Sequence, residues 1–119
     1  MNWLAVFIGG GLGSLLRFWI SRSMIQFELD FAWATFVANL VSSIFLGMLM
    51  GYTFRGGLGG HWSFFWMVGF CGGFSTFSTF TAETFLFLQN GQWGYAALNV
   101  AMSVVVCLLG LWAGLRLVS

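Results

Sequence analysis

Charge is almost missing from this chain. Of its 119 residues, four are Lys or Arg, three are Asp or Glu, and one is His. A soluble domain carries about 25% charged residues, whereas this chain has 6% against 60% hydrophobic. That balance argues against a water-soluble fold and for an all-α integral membrane protein. The net charge of +1 provides no basic patch, which argues against nucleic acid as a partner. Proline is absent while glycine numbers 17, a balance that favours closely packed helices over a loop-rich fold. Cysteine is scarce too. Cys71 and Cys107 lie in apolar segments without metal-ligand spacing and read as buried free thiols. The first apolar segment lacks a basic leading region and runs too long for a signal-peptide core, so it counts as a span.

What is present is apolar length. Four spans are expected, at about Trp3–Ser23, Ala32–Phe54, Ser63–Leu88 and Gly94–Val118. Each meets the requirement of ~20 mostly apolar residues for a ~30 Å hydrocarbon core. The connecting loops, Met24–Phe31, Arg55–Trp62 and Gln89–Trp93, leave no room for a soluble domain, so residues 1–119 form a single unit. Trp3, Trp33, Trp62, Trp66, Trp93 and Trp112 sit near span ends, where an aromatic belt is expected. Gly9 and Gly13 form a small-xxx-small pair that lets another helix come close.

The third span contains a stretch built to break a helix, Gly69–Phe80, GFCGGFSTFSTF. Its glycines free the backbone, and Ser75, Thr76, Ser78 and Thr79 offer hydroxyls to backbone groups. Irregular backbone survives at membrane depth only when buried in protein or lining a water-filled cavity. The third helix is therefore expected to be broken mid-membrane, near Gly72–Thr76, at an ion-handling site. Carboxylates are too few to line a cation path. The available groups are donors: the Asn39 amide, hydroxyls, and the electropositive ring edges of Phe77 and Phe80. They suit an anion, held weakly enough to leave again. The carbonyls freed around Gly72 and Ser75 suit a cation instead, caged where two such breaks cross.

Other polar residues carry two readings each. Arg17 either snorkels to the headgroups or attracts anions at a pore mouth. Asn39 either makes an inter-helix hydrogen bond or contacts the ion. Ser42 and Ser43 are unremarkable, since helix hydroxyls can bond back to their own backbone. Glu83 is either a functional carboxylate at depth or a stabilised acid in the first turn of a half-helix. Asn99, Ser103 and Cys107, at i, i+4 and i+8, share one helix face, as helix-to-helix contacts or as a hydrophilic track.

Arg55 and Arg116 fall on one side of the membrane, Arg22 and the deeper Arg17 on the other. So even a count gives the positive-inside rule little to act on. Four helices also make a thin wall for a water-filled path. Both points favour an antiparallel, dual-topology homodimer, with the broken helices meeting near the midplane as inverted repeats do.

The stretch GFCGGFSTFSTF closely resembles the GFCGGhTTFSTF signature of the Fluc (CrcB) fluoride channels. GGGLGSLLR in the first span and TFVAN in the second extend the resemblance over the whole chain. It implies a channel rather than an enzyme: a multi-pass protein of the cell (inner or plasma) membrane that exports cytoplasmic fluoride through two parallel pores of a dual-topology homodimer. It further implies a central, structural sodium ion that is not transported. Carried over, Phe77 and Phe80 would be the ring pair on the fluoride path and Asn39 the pore-facing amide. Glu83, Ser103 and Cys107 would belong to the polar track, with Thr79 and Thr81 beside them. Gly72 and Ser75 would hold sodium by their carbonyls, and Arg17 would match the arginine closing the first motif. Departures are Ser75 for a usual Thr, Ala34 and Ala38 for Gly and Val, and Cys107 for a small hydroxyl residue.

The competing reading is a small multidrug-resistance-type, proton-coupled cation exporter. It requires a carboxylate within the first span, and Trp3–Ser23 contains neither Asp nor Glu. A non-conducting membrane helper would explain the packing glycines but not the hydroxyl- and Phe-rich break.

Overall fold

A computed structural model describes residues 2–25, 33–57 and 59–118. Most of the expected first loop, and the expected start of the second span at Ala32, lie outside the described residues. The described chain is all-helical. Helix α1 spans Asn2–Ile25, α2 Trp33–Phe54, α3 Gly60–Ser63, α4 Cys71–Phe74, α5 Phe77–Gln89 and α6 Trp93–Val118, with a π-helical segment, Phe64–Phe70, joining α3 to α4. Among the described residues, α1, α2 and α6 are long and apolar enough to cross a membrane. At ~1.5 Å per residue, the 22 residues of α2 rise about 33 Å, against a hydrocarbon core of ~30 Å. The expected third span, Ser63–Leu88, is not one helix. Between α4 and α5, Ser75 and Thr76 are extended, with ψ of 156° and φ of −150° respectively.

Glycines decide which helices touch. Gly9 and Gly13 of α1 lie against backbone of Phe65–Phe74; a Cβ at Gly13 would strike the Phe70 carbonyl and come within 2.7 Å of the Phe74 nitrogen. Gly69 and Gly73 reciprocate from the other side, against Val6 and Gly10. A second crossing joins α2 to α6. There a Cβ on Gly47 would strike the Leu111 carbonyl, and one on Gly114 the Ile44 carbonyl. Gly9/Gly13, Gly69/Gly73 and, on α2 against Leu111 and Leu115, Gly47/Gly51 are each spaced by four, so both glycines of a pair share a face and the backbones come together without side chains between them. The pair at Gly9 and Gly13 is the one expected above; its partner Gly69/Gly73 and the α2–α6 crossing emerge only in the fold.

Glycine also ends two helices. Gly56 follows α2 with φ of +80° and Gly91 follows α5 with φ of +75°. Beyond them the Gly57 amide donates to the Tyr52 carbonyl (3.0 Å) and the Gln92 amide to the Phe87 carbonyl (2.8 Å). This left-handed cap satisfies carbonyls the helix leaves over. It turns α5 back onto α6, where Phe87 and Ala96 are buried together.

The interior is thin. Among the described residues, buried hydrophobic side chains are few: Phe36, Ala38, Cys71, Phe74, Phe87 and Ala96. Trp3, Phe7, Trp19, Phe54, Leu108 and Leu117 are exposed, an arrangement suited to lipid or to another protein surface. Trp66, expected in the aromatic belt, instead packs edge-on against Phe45, Phe65 and Phe70.

Replacing Gly114 by Val should force α2 and α6 apart and cost about 1–3 kcal/mol or more. The expected readout is a lower thermal midpoint for the detergent-solubilised protein. Gly94→Ala, where a Cβ meets nothing within 4 Å, should leave the midpoint unchanged.

Candidate functional site

Breaking a helix strands backbone groups, and the site is built from the side chains that take them up. Asn39, from α2, does so at both ends of one residue. The Thr76 amide donates to Asn39 Oδ1 (2.8 Å), and Asn39 Nδ2 donates to the Thr76 carbonyl (3.3 Å). Thr76 in turn caps α5, its Oγ1 accepting from the Thr79 amide at 3.2 Å, as an N-cap threonine does. Upstream, the Cys71 carbonyl accepts from the Ser75 amide, Ser75 Oγ and Ser42 Oγ at 2.9, 2.8 and 3.1 Å. The Gly73 carbonyl accepts from Ser14 Oγ (3.4 Å) and Arg17 Nε (3.3 Å) on α1. Two neighbouring helices thus hold the extended pair in place.

Several expectations are settled by these contacts. Arg17 is half-buried and bound to the Gly73 carbonyl, so its Nε ties α1 to the break instead of reaching for headgroups. Ser42 does not bond back to its own helix; it reaches across to Cys71 because the α2 face carrying it is buried there. Glu83 is not a first-turn acid: α5 begins at Phe77 and has no acidic residue in its first turn. Its Oε1 is buried without a hydrogen-bond partner among the described residues.

Beside the extended pair lies an open pocket of about 260 Å³. Helix α2 contributes Asn39 and Ser43, the extended pair Ser75 and Thr76, α5 Phe77 and Phe80, and α6 Ser103, Val104 and Cys107. The Phe77 and Phe80 rings are 5.6 Å apart and tilted by 40°. Phe77 is 77% exposed, Phe80 half-buried. Ser103 Oγ is buried and finds no hydrogen-bond partner among the described residues. Of the residues singled out from sequence, Asn39, Phe77, Phe80, Ser103 and Cys107 come together here, next to Ser75. Gly72, Thr79, Thr81, Glu83 and Asn99 do not line the pocket. Thr81 is exposed and donates to the Phe77 carbonyl of its own helix (2.8 Å). Thr79 belongs to the α5 cap. Asn99, at the far end of the α6 stripe, is buried and donates to Thr84 Oγ1 at 2.9 Å.

Ser14, which donates to the Gly73 carbonyl, and Thr84, which accepts from Asn99, carry roles that sequence reading did not single out. The carbonyls of Gly72 and Ser75 accept no hydrogen bond among the described residues, and nothing lies within 4 Å of where a Gly72 side chain would begin. Main-chain oxygens left open in this way fit a monovalent cation. Among the described residues no three His, Cys, Asp or Glu side chains gather into a metal-binding group.

Comparison with known proteins adds a further finding. A family model described as CrcB-like protein, Camphor Resistance (CrcB) matches residues 4–115. The chain is 43% identical to the fluoride-specific ion channel FluC of Rhodospirillum rubrum, over 96% of this chain and 92% of that protein. It is 42% identical to fluoride-specific ion channel FluC 2 of Nitrobacter hamburgensis, over 99% and 97% of the two chains. It is 41% identical to the FluC of Pyrococcus abyssi, over 93% and 90%.

The Asn39 clamp makes a direct prediction. Asn39→Leu should leave the Thr76 amide and carbonyl without partners, at a cost of about 1–3 kcal/mol each. Hydrogen–deuterium exchange should then quicken across residues 75–79 while α6 keeps its protection. Unchanged exchange in that segment would show that Asn39 does not hold it.

Proposed function

The chain belongs to the CrcB-like family, and from that premise we propose that it is a fluoride-selective ion channel that lets cytoplasmic fluoride leave the cell. It is a multi-pass membrane protein, and the names of its relatives are those of ion channels, not of enzymes. The observation that carries the reading is the pocket where Asn39, Phe77, Phe80, Ser103 and Cys107 converge beside an extended backbone pair. Fluoride is small and strongly hydrated, so a selective path must replace its water with donors. The Asn39 amide has a second N–H beyond the one given to Thr76. The Phe77 and Phe80 rings offer positive edges without a fixed charge, and the Ser103 hydroxyl, unpartnered among the described residues, has its proton to give. Such contacts bind weakly enough for an ion to move on, which conduction requires. Thr79, Thr81 and Glu83 would extend the track away from the pocket.

The working unit of this reading is an antiparallel homodimer of single four-span domains with two pores. The division between α4 and α5 would lie near the bilayer midplane, so that two copies meet at their extended pairs. The even distribution of arginines between the two sides supports it, as does an outer surface richer in large apolar side chains than the interior. The Gly72 and Ser75 carbonyls of both copies would then hold one sodium ion, which supplies a fixed central charge and is not itself conducted. The small multidrug-resistance-type alternative gains no support: α1 contains no Asp or Glu.

Fluoride efflux from proteoliposomes tests the claim. Phe80→Ile keeps apolar bulk and removes the ring quadrupole, and apolar swaps of comparable volume usually cost less than ~1.5 kcal/mol of stability. Efflux should fall by about tenfold or more, equivalent to ~1.4 kcal/mol on the barrier, with the protein still folded. Phe77→Ile should behave alike, and Asn39→Asp should block by placing a like charge in the path. Wild-type efflux from both folded Ile variants would reduce the rings to packing.

Orientation is tested separately in cells. A variant forced into a single orientation by Lys residues added at one terminus should lose activity alone. It should recover when co-expressed with an oppositely biased variant. Full activity from one forced orientation would sink the antiparallel pair.

A further inference from the structure

Helix α5 is pinned at two points, and both pocket rings lie between them. At its start, Thr76 is held by Asn39 of α2. About two turns on, Thr84 is held by Asn99 of α6, whose Nδ2 donates to Thr84 Oγ1 at 2.9 Å. The Thr84 hydroxyl gives its one proton to the Phe80 carbonyl (2.8 Å), so toward Asn99 it acts as acceptor. A relay of two hydrogen bonds therefore runs from α6 to the main chain of Phe80. The two helices also meet in antiparallel order. Phe87 packs with Ala96 beside the turn, Thr84 meets Asn99 next, and one turn further Phe80 and Ser103 line the pocket. Asn99 and Ser103 share a face of α6, as Thr84 and Phe80 share one of α5. Asn99 is only 1% exposed. An amide so buried costs free energy unless it is hydrogen-bonded, whereas a leucine would fill the space without that cost. Apolar helix faces tolerate sliding; an amide whose partner is one hydroxyl is satisfied at one register.

We propose that Asn99 is a positioning residue of the anion path: acting through Thr84, it fixes α5 on α6 so that the Phe80 ring stands opposite Ser103. The inference rests on the channel reading of the pocket. It takes Asn99 out of the hydrophilic track that its spacing with Ser103 and Cys107 suggests, in keeping with its place outside the pocket lining. A ring edge attracts an anion only when it is aimed at it, and such aim requires the group to be held within ~0.5 Å. Asn39 fixes the start of α5 alone. The second point, one turn beyond Phe80, removes the freedom of α5 to rotate about that start. Because the relay ends on the Phe80 carbonyl itself, it acts on the residue whose ring matters.

The test reads ring position and flux separately. Phe80 is replaced by para-fluorophenylalanine in the full-length protein, and its fluorine resonance is followed by NMR in detergent micelles. Fluoride efflux from proteoliposomes is measured on the same variants without the label. Asn99→Leu removes the donor, Thr84→Val keeps the shape and removes both bonds, and Thr84→Ser keeps both. Asn99→Leu and Thr84→Val should move the resonance alike and lower efflux by about tenfold or more. The double variant should lose no more than either single one, because both act on one relay. Thr84→Ser should keep the wild-type resonance and efflux. An unmoved resonance in folded Asn99→Leu overturns the positioning role, whatever its efflux. A moved resonance with wild-type efflux overturns its bearing on the path. Losses that multiply in the double variant overturn the relay through Thr84. If Asn99→Leu does not fold, the two Thr84 variants decide: a resonance moved in Thr84→Val and kept in Thr84→Ser supports the proposal, and one kept in both overturns it. Absence of fluoride efflux from wild type would instead overturn the channel reading, and the resonance would still decide the positioning.

Discussion

Everything around the break depends on satisfying two extended residues in an apolar setting. A backbone amide or carbonyl buried without a partner costs about 1–3 kcal/mol. The Thr76 amide and carbonyl are met by one side chain, Asn39. An amide is the side chain that carries both a donor and an acceptor in one plane. The Cys71 and Gly73 carbonyls, left over as α4 ends, are met from α2 and α1 by Ser42, Ser14 and Arg17. The four-residue α4 survives because its end is held from two sides.

These donors are short, apart from arginine, so they reach only if the helices carrying them come close. The glycine faces provide that approach. Gly9 and Gly13 set α1 against Gly69 and Gly73, which is why Ser14, one residue after Gly13, finds the Gly73 carbonyl. Packing and polar satisfaction are therefore one device. A side chain larger than hydrogen at these crossings would move the donors out of hydrogen-bond range as well as open the interface. The π-helical turn Phe64–Phe70 feeds Gly69 into the same crossing. Its wider winding keeps Phe65, Trp66 and Phe70 clustered around Phe45.

Holding the extended pair also shapes the pocket. Where α4 stops and α5 starts anew, the chain presents no continuous helical wall. Asn39 and Ser43 face the α6 stripe across the gap. The chemistry left there is one of donors and ring edges with no fixed charge. That is the composition a path for a small anion needs: enough polarity to replace water, and no charge strong enough to trap the ion.

Much of this was legible in the order of residues. Apolar length with almost no charge determined a membrane protein of helices. The run from Gly69 to Phe80 carries glycines that free the backbone and hydroxyls that compete for it, and α4 ends and α5 begins within it. Asn39 was conspicuous for its cost in an apolar helix, and Phe77 and Phe80 for their place after the break. What the order of residues did not contain is which polar group answers which. Asn39 lies 37 residues from Thr76 and Ser42 lies 29 from Cys71, and no local pattern links them. Tertiary structure alone made Ser42 a cross-helix donor, drew Arg17 onto Gly73, set Thr81 on the outside, and paired Gly47/Gly51 with α6. The physical reason is that a helix fixes its own face from local periodicity, whereas the partner of that face is chosen by how closely two backbones can approach, and that is a property of both helices together.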